Sequence, residues 1–368
     1  MMKKAVWAAM VLSALPLAGR LCAQTEGGYQ VGVVSESGDR VTWLRFSEGT
    51  LSVLRVIPVG VMPTEIDGPH NLAVAPDQSA YYITIAHGTP FGSLWKFDAA
   101  TDTVLGRAPL EMFPTTIGLT PGGELALVAN SDFHGDHPRV NPVSVIYTPT
   151  MTPVTDIPAC DMPHGVKVNH AGTFAYVSCM HSDELLEVDL ATLAVTRRAS
   201  TGAASASMAG MGHGDAPAAG HPDDSCQPTF VSVSPDDRTL YAACNHSATL
   251  QAWDAATFTR TGQVAVGAGA YNVEPSPDGT LVIVTNKKAQ SISLVDAATL
   301  AELARIPVTR KIVHGVAYAP DGRYAFISQE SIGADSGAVD IIDLAARKDV
   351  GTITIPGQPT GIAILRRN

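Results

Sequence analysis

Eleven histidines stand in this 368-residue chain, and their surroundings make several of them candidates for holding a metal. Imidazole is the commonest metal-ligating side chain and titrates near neutral pH. His134-Gly135-Asp136-His137 sets two of them three residues apart around an aspartate. Met208-Ala209-Gly210-Met211-Gly212-His213-Gly214-Asp215, followed by His221, joins thioethers to imidazoles on a tether of small residues. Thioether sulfur is soft and favours Cu(I), so this pairing suits copper among the transition metals. Met162 and Met180 stand beside His164 and His181. His70, His87, His246 and His314 share no local motif, so only the fold can bring them together. Other chemistries read poorly: there is no G-x-S-x-G elbow, no G-x-x-x-x-G-K-[ST] loop and no C-x-x-C-H haem attachment.

The elements that must position these residues are repeats. A core of the form P-x-G-[apolar]-x-[apolar]-x-P-D-G recurs, and the residue six before each turn is His70, Thr115, His164, Thr229, Tyr271, His314 and finally Thr360. Their separations are 45, 49, 65, 42, 43 and 46 residues. Only the third is abnormal, and it contains a low-complexity Met/His/Gly/Ala insert, 203–225, expected to be flexible. After each turn comes an apolar strand such as Leu281–Asn286, and a third strand ends in an acidic step at Asp98, Asp189, Asp254, Asp296 or Asp343. A fourth strand follows. Four short strands per 40–45 residues is the signature of a propeller blade. The last copy supplies only an innermost strand, Gly361 to Leu365, while the N-terminal side supplies three strands without one: Tyr29–Val34, Arg40–Phe46 and Leu51–Val59. Together they make one blade. The expected fold is all-β: a seven-bladed β-propeller closed by pairing its two ends, which also hides edge strands.

These residues resemble the YVTN-repeat, or YncE-like, propellers. Val284-Thr285-Asn286 followed by Val295-Asp296-Ala297-Ala298-Thr299 matches that repeat well, and Tyr176-Val177-Ser178 and Leu127-Val128-Ala129-Asn130 are looser copies. The resemblance spans residues 24–368 and is specific for fold. It implies no single function, because relatives include binding proteins, haem d1 propellers and amine dehydrogenase subunits.

Residues 1–23 read as a signal peptide, with Lys3 and Lys4 before the apolar run Ala5–Leu17 and a Leu21-Cys22-Ala23 cleavage site. Acylation of Cys22 is the alternative, for which Arg20 and Leu21 are poor neighbours. The apolar run is too short to span a bilayer, so no transmembrane segment is expected. Periplasmic or secreted localisation follows. Cleavage would take the net charge from −11 to −14 (21 basic minus 35 acidic residues), and no basic cluster exceeds Arg310-Lys311 or Arg366-Arg367. A nucleic-acid partner is therefore excluded. Export also places Cys160, Cys179, Cys226 and Cys244 in an oxidising compartment. Paired strands should bring together Cys160–Cys179 and Cys226–Cys244. Swapped pairing and thiolate ligation are the alternatives.

Topology sorts the chemistry by face. The chain entering an innermost strand and the loop leaving the second strand share one face, the top, and the P-D-G turns lie on the bottom. His70, His164 and His314 begin innermost strands at the channel rim. His87, His181 and His246 fall at or after the ends of second strands, and His134, His137, His213 and His221 fall in top loops. Only His170 sits on a bottom turn. Ten of eleven histidines thus converge on one face. The rim set His70, Thr115, His164, Thr229, Tyr271, His314 and Thr360 is the candidate cofactor-binding ring. The candidate metal ligands are His70, His164 and His314, then His87, His181, His246, His134, His137, Met208, Met211, His213 and His221. Because the rim histidines come from blades 1, 3 and 6, all three reach one ion only if the rim is narrow; otherwise His87 or His181 must complete the set. Polar channel lining and a plain small-residue loop are the competing accounts. No Arg/Glu/His constellation like that of lactonase propellers is expected on the top face, and the recurring aspartates are expected to cap turns.

The leading expectation is an exported binding propeller that holds a metal, copper or another transition metal, at the channel mouth, or delivers it to another periplasmic protein. The alternatives are an oxidoreductase or accessory subunit with a metal or tetrapyrrole in the channel, and a cofactor-free interaction scaffold.

Overall fold

The computed structural model describes residues 29–61, 65–87, 91–133, 140–202, 225–331 and 335–366. The expected signal peptide, the insert apart from Ser225, and His134, His137, Met208, Met211, His213 and His221 lie outside the described residues. Each repeat forms a four-stranded antiparallel sheet with its strands in chain order. Blades 1 to 6 span 69–109, 114–160, 163–200, 228–265, 270–307 and 312–355. The seventh joins the last strand, Pro359–Arg366, to Tyr29–Ser35, Arg40–Ser47 and Thr50–Pro58. Its closing register sets Gln30 opposite Leu365 and Gly32 opposite Ala363.

Residue patterning follows from each strand's place in the blade. A second strand is covered on both faces by neighbouring blades, so it reads as a continuous apolar run: Leu281–Asn286 is buried from Val282 onward. An outer strand meets solvent on alternate residues, as in Ala194–Ser200. The cores lie between blades. Trp43 of blade 7, for example, packs edge-on against Tyr81 of blade 1 with ring centroids 5.2 Å apart.

The recurring aspartates are turn caps, as expected. Asp98 Oδ1 accepts the Ala100 and Thr101 N–H groups at 2.9 and 2.8 Å, and Asp189, Asp254, Asp296 and Asp343 do the same in their turns. His170, on its bottom turn, pairs with Asp237 of the next blade at 2.7 Å.

Both disulfides pair as expected. Cys160, however, is the last residue of the outer strand Thr152–Cys160, so the Cys160–Cys179 bridge fastens blade 2 to blade 3 rather than stapling blade 3 internally. Cys226–Cys244 ties the segment leading into blade 4 to that blade's second strand. Asp183 holds both sides of the 203–224 segment, accepting from the Thr201 hydroxyl at 3.0 Å and from the Gln227 N–H at 2.8 Å.

The innermost strands approach closely, and two glycines show what that residue allows in the blades that carry it. A Cβ on Gly361 would lie 2.6 Å from Asn71 Cα and 2.7 Å from Leu72 N. One on Gly315 would lie 2.8 Å from Ile362 Cγ2 and 2.9 Å from the Thr360 carbonyl. Glycine at the residue after the rim position therefore lets neighbouring strands close up, which narrows the channel.

Candidate functional site

The narrow channel brings the rim residues of blades 1, 3, 5 and 6 into contact. The Tyr271 hydroxyl lies 3.1 Å from His164 Nε2 and 3.2 Å from His314 Nε2. The His70 and His314 rings meet edge to face at 5.3 Å between centroids, Tyr271 and His314 at 4.8 Å, and His164 and Tyr271 at 5.4 Å. All four side chains are buried. The three rim threonines are buried too, but they turn their hydroxyls into the backbone: Thr115 donates to the His164 carbonyl at 2.9 Å and Thr229 to the Tyr271 carbonyl.

Each imidazole is oriented from behind. His70 Nδ1 lies 2.8 Å from Glu36 Oε2, and the other Glu36 oxygen lies 3.0 Å from His87 Nε2. Burial alone would raise the Glu36 pKa, but the charges and hydrogen bonds of His70 and His87 outweigh it and hold the carboxyl well below its usual range. The carboxylate accepts, so His70 Nδ1 donates, and the neutral tautomer this selects carries its lone pair on Nε2. His164 Nδ1 faces the Thr229 carbonyl at 3.0 Å and must also donate, which again leaves the lone pair on Nε2, toward Tyr271. Burial first, then the His70 and Lys287 charges, push the His164 pKa down to about 3 against the Thr229 bond. Burial likewise drives His314 well below its ordinary value, and Tyr271 well above its own.

Counting protons exposes a deficit. Tyr271 has one hydroxyl proton for two Nε2 atoms. If it goes to His164, then His314 either keeps a bare Nε2, with its Nδ1 on the Thr360 carbonyl, or donates from Nε2 and leaves Nδ1 bare. His70 Nε2 is buried without a hydrogen-bond partner among the described residues. In the neutral tautomer of His70 its Nε2 and one His314 nitrogen are lone pairs without a donor among the described side chains; the imidazolium form that lowers the Glu36 pKa leaves only the His314 nitrogen so. Imidazole nitrogens gathered around a phenol are donor atoms of the kind that hold a cation.

The top face adds glutamates to the histidines, a pairing not identified from the sequence. Glu36, in the turn after the second strand of blade 7, joins His70 to His87. Glu330, the last residue of blade 6's second strand, lies 2.7 Å from Lys287 Nζ and 3.8 Å from His314 Nε2, and it accepts from Gln358 at 2.8 Å. Lys287 also sits 4.1 Å over the Tyr271 ring. These acids occupy the slots that end or follow second strands, where His87 was found. The face map applied to every residue type, rather than to histidines alone, would have located them.

The remaining candidates divide. His87 reaches the cluster through Glu36. His181, partly exposed, pairs with Asp161 at 3.5 Å, and His246 is exposed, so neither belongs to the buried group. Among the described residues no three or more of His, Cys, Asp and Glu form a ready metal-ligand group; the phenol of Tyr271 stands between the two imidazole nitrogens. No described helix is long and apolar enough to cross a membrane. Below the rim the channel widens into a vestibule of about 550 Å³ lined by Asn71, Phe230, Asn272 and Tyr318, with Lys167 and Glu274 paired across it at 2.7 Å.

No family model and no curated protein matches the chain. Solved structures do. Hydrazine synthase of Kuenenia stuttgartiensis aligns at 18% identity over 83% of this chain and 93% of that one, with a TM-score of 0.65. A functionally unknown protein from Desulfotomaculum acetoxidans DSM 771 aligns at 14% identity over 92% and 99%, with a TM-score of 0.72. A candidate 6-phosphogluconolactonase from Bacteroides fragilis NCTC 9343 gives 14% identity over 93% and 99%, and also 0.72. Likeness at these identities speaks for architecture alone: the chain is a seven-bladed β-propeller with propeller-like structural neighbours.

Proposed function

We propose that this protein is an exported metal-binding propeller, of YVTN-repeat kinship, whose channel rim takes up one transition-metal ion for storage or delivery. The observation that carries the proposal is the buried cluster in which His164 and His314 meet the Tyr271 hydroxyl and His70 meets the His314 ring, with more nitrogen lone pairs than protons to cover them. A cation would satisfy those lone pairs. His70 backed by a carboxylate and His164 backed by a backbone carbonyl also match the outer-shell partners that orient metal-bound imidazoles. The donors are nitrogen and phenol oxygen, a set that suits Cu(II), Zn(II) or Ni(II). Copper is favoured by the Met208/Met211 segment, which lies outside the described residues. Because the Tyr271 hydroxyl stands between two ligands, uptake requires it to move aside or to join the ligand set. Four buried rings linked one to the next, His70 to His314 to Tyr271 to His164, occupy the rim, which disfavours the alternative of a planar tetrapyrrole there.

The test is elemental analysis of untagged protein from the exported fraction, after incubation with Cu(II), Zn(II) or Ni(II) and desalting. About one equivalent of one metal is expected, lost in a His70→Ala/His164→Ala/His314→Ala variant that still folds. No metal retained by the parent protein under any of these conditions overturns the proposal. One observation favours the scaffold alternative: Val61, Ile66, Phe91, Phe133 and Val140 are exposed apolar residues in the top loops of blades 7, 1 and 2. A docking partner with no metal requirement would then be retained equally by the triple variant.

A further inference from the structure

The seven blades fasten one innermost strand to the next in two different ways, and the choice coincides with which rim positions carry imidazole or phenol. In four blades the fastening hydroxyl comes from the second strand. Thr84, Ser178, Thr285 and Ser328 accept the backbone N–H that follows their own rim residue: Asn71, Gly165 and Asn272 at 2.9 Å, and Gly315 at 2.8 Å. Each hydroxyl then donates to the rim carbonyl of the next blade, respectively Thr115, Thr229, His314 and Thr360. The rim residues of these four blades are His70, His164, Tyr271 and His314.

In the other three blades the register puts an apolar residue, Ala129, Ala243 or Val34, at that second-strand position. There the rim residue is a threonine and makes the inter-blade bond itself. Thr115 reaches the His164 carbonyl at 2.9 Å, Thr229 reaches that of Tyr271, and Thr360 reaches that of Pro69, one residue before His70, at 3.5 Å. A buried carbonyl at each seam needs a donor, and either of two positions can supply it. Where the second strand does so, the rim side chain is released from the seam and can project into the channel.

We propose that Thr84, Ser178, Thr285 and Ser328 are positioning residues for the rim site, and that the pairing of rim and second-strand residue decides, blade by blade, whether a seam or a ligand is built. Only the affinity part of the test rests on the metal proposal. Ser178 also shares the Thr229 carbonyl with His164 Nδ1, so it fixes where that ring sits.

The experiment is a thermodynamic cycle in blade 3 with a graft in blade 2. Ser178→Ala is expected to lower Tm by about 2–6 °C, because it orphans a buried N–H, and to weaken Cu(II) or Zn(II) binding about 10-fold or more. Ser178→Thr should restore both. His164→Thr/Ser178→Ala, which copies blades 2 and 4, should recover the Tm of the Ser178→Ala variant without recovering metal. In blade 2, whose rim position carries no imidazole or phenol, Thr115→His/Ala129→Ser should melt above Thr115→His alone. The proposal is overturned if neither second substitution restores stability. The melting arms need no metal, so a parent protein that binds none would end the metal proposal and leave this one still judged by Tm.

Discussion

At the scale of single residues, ionisable groups are buried where a partner compensates them and cost stability where none does. Asp340 and Asp349 on neighbouring strands of blade 6 are the clearest uncompensated pair. Asp340 is fully buried, with one oxygen on the Thr309 N–H, and its carboxyl also meets that of Asp349. Burial, and then the Asp340 charge, push Asp349 from 3.8 up to about 6. The folded state thus binds more protons than the unfolded state between those values, so stability falls as pH rises through that window. Asp349→Asn is expected to melt above the parent at pH 8, with the difference vanishing toward pH 4, as scanning calorimetry across that range would check. A variant no more stable at pH 8 would show that the pair is relieved by solvent. None of this was legible in the sequence, because the two aspartates lie nine positions apart and look like ordinary strand and turn acids. The rim histidines were legible, since their repeat position names them without any contact being seen. Glu36 and Glu330 were legible only by position, since the slot that ends or follows a second strand carries no repeated residue type.

At the scale of elements, glycine and hydroxyl positions, more than apolar content, set the width of the channel. Gly361→Ala would drive a Cβ into the backbone of Asn71 and Leu72, which cannot yield as a side-chain tip can. A cost of about 1–3 kcal/mol is expected, together with loosening of the rim. Gly351, whose added Cβ would meet only Ile341 Cδ1 at 3.3 Å and a carbonyl at 3.6 Å, should accept alanine with little change. Comparing the two in urea would settle whether innermost contacts or outer ones limit stability; equal midpoints would remove the close-approach account. The strands and turns were readable from the P-D-G step because turn chemistry and period-two patterning agree there. Blade 2's outer strand was the exception. It runs on to Cys160, so the first disulfide crosses a seam, and nothing in the repeated core marks where that outer strand ends.

For the whole molecule, the ring depends on a strand contributed from the far end of the chain. Tyr29 is paired with Arg366, so closure joins residues more than three hundred positions apart, a contact of the kind that slows folding. Its ends gave the closure away in the sequence, since three strands at one terminus lacked the innermost strand that the other supplied. The feature also means that the chain's beginning and end are interchangeable with any other break in the circle. A circular permutant, with a short linker from Arg366 to Tyr29 and new termini opened between residues 202 and 225, would keep every one of the seven sheets. It would turn the most distant pairing into a local hairpin and would refold faster than the parent while melting at a similar temperature. Where such a protein starts is then a matter of how it is made and exported, while the ring itself has no first blade.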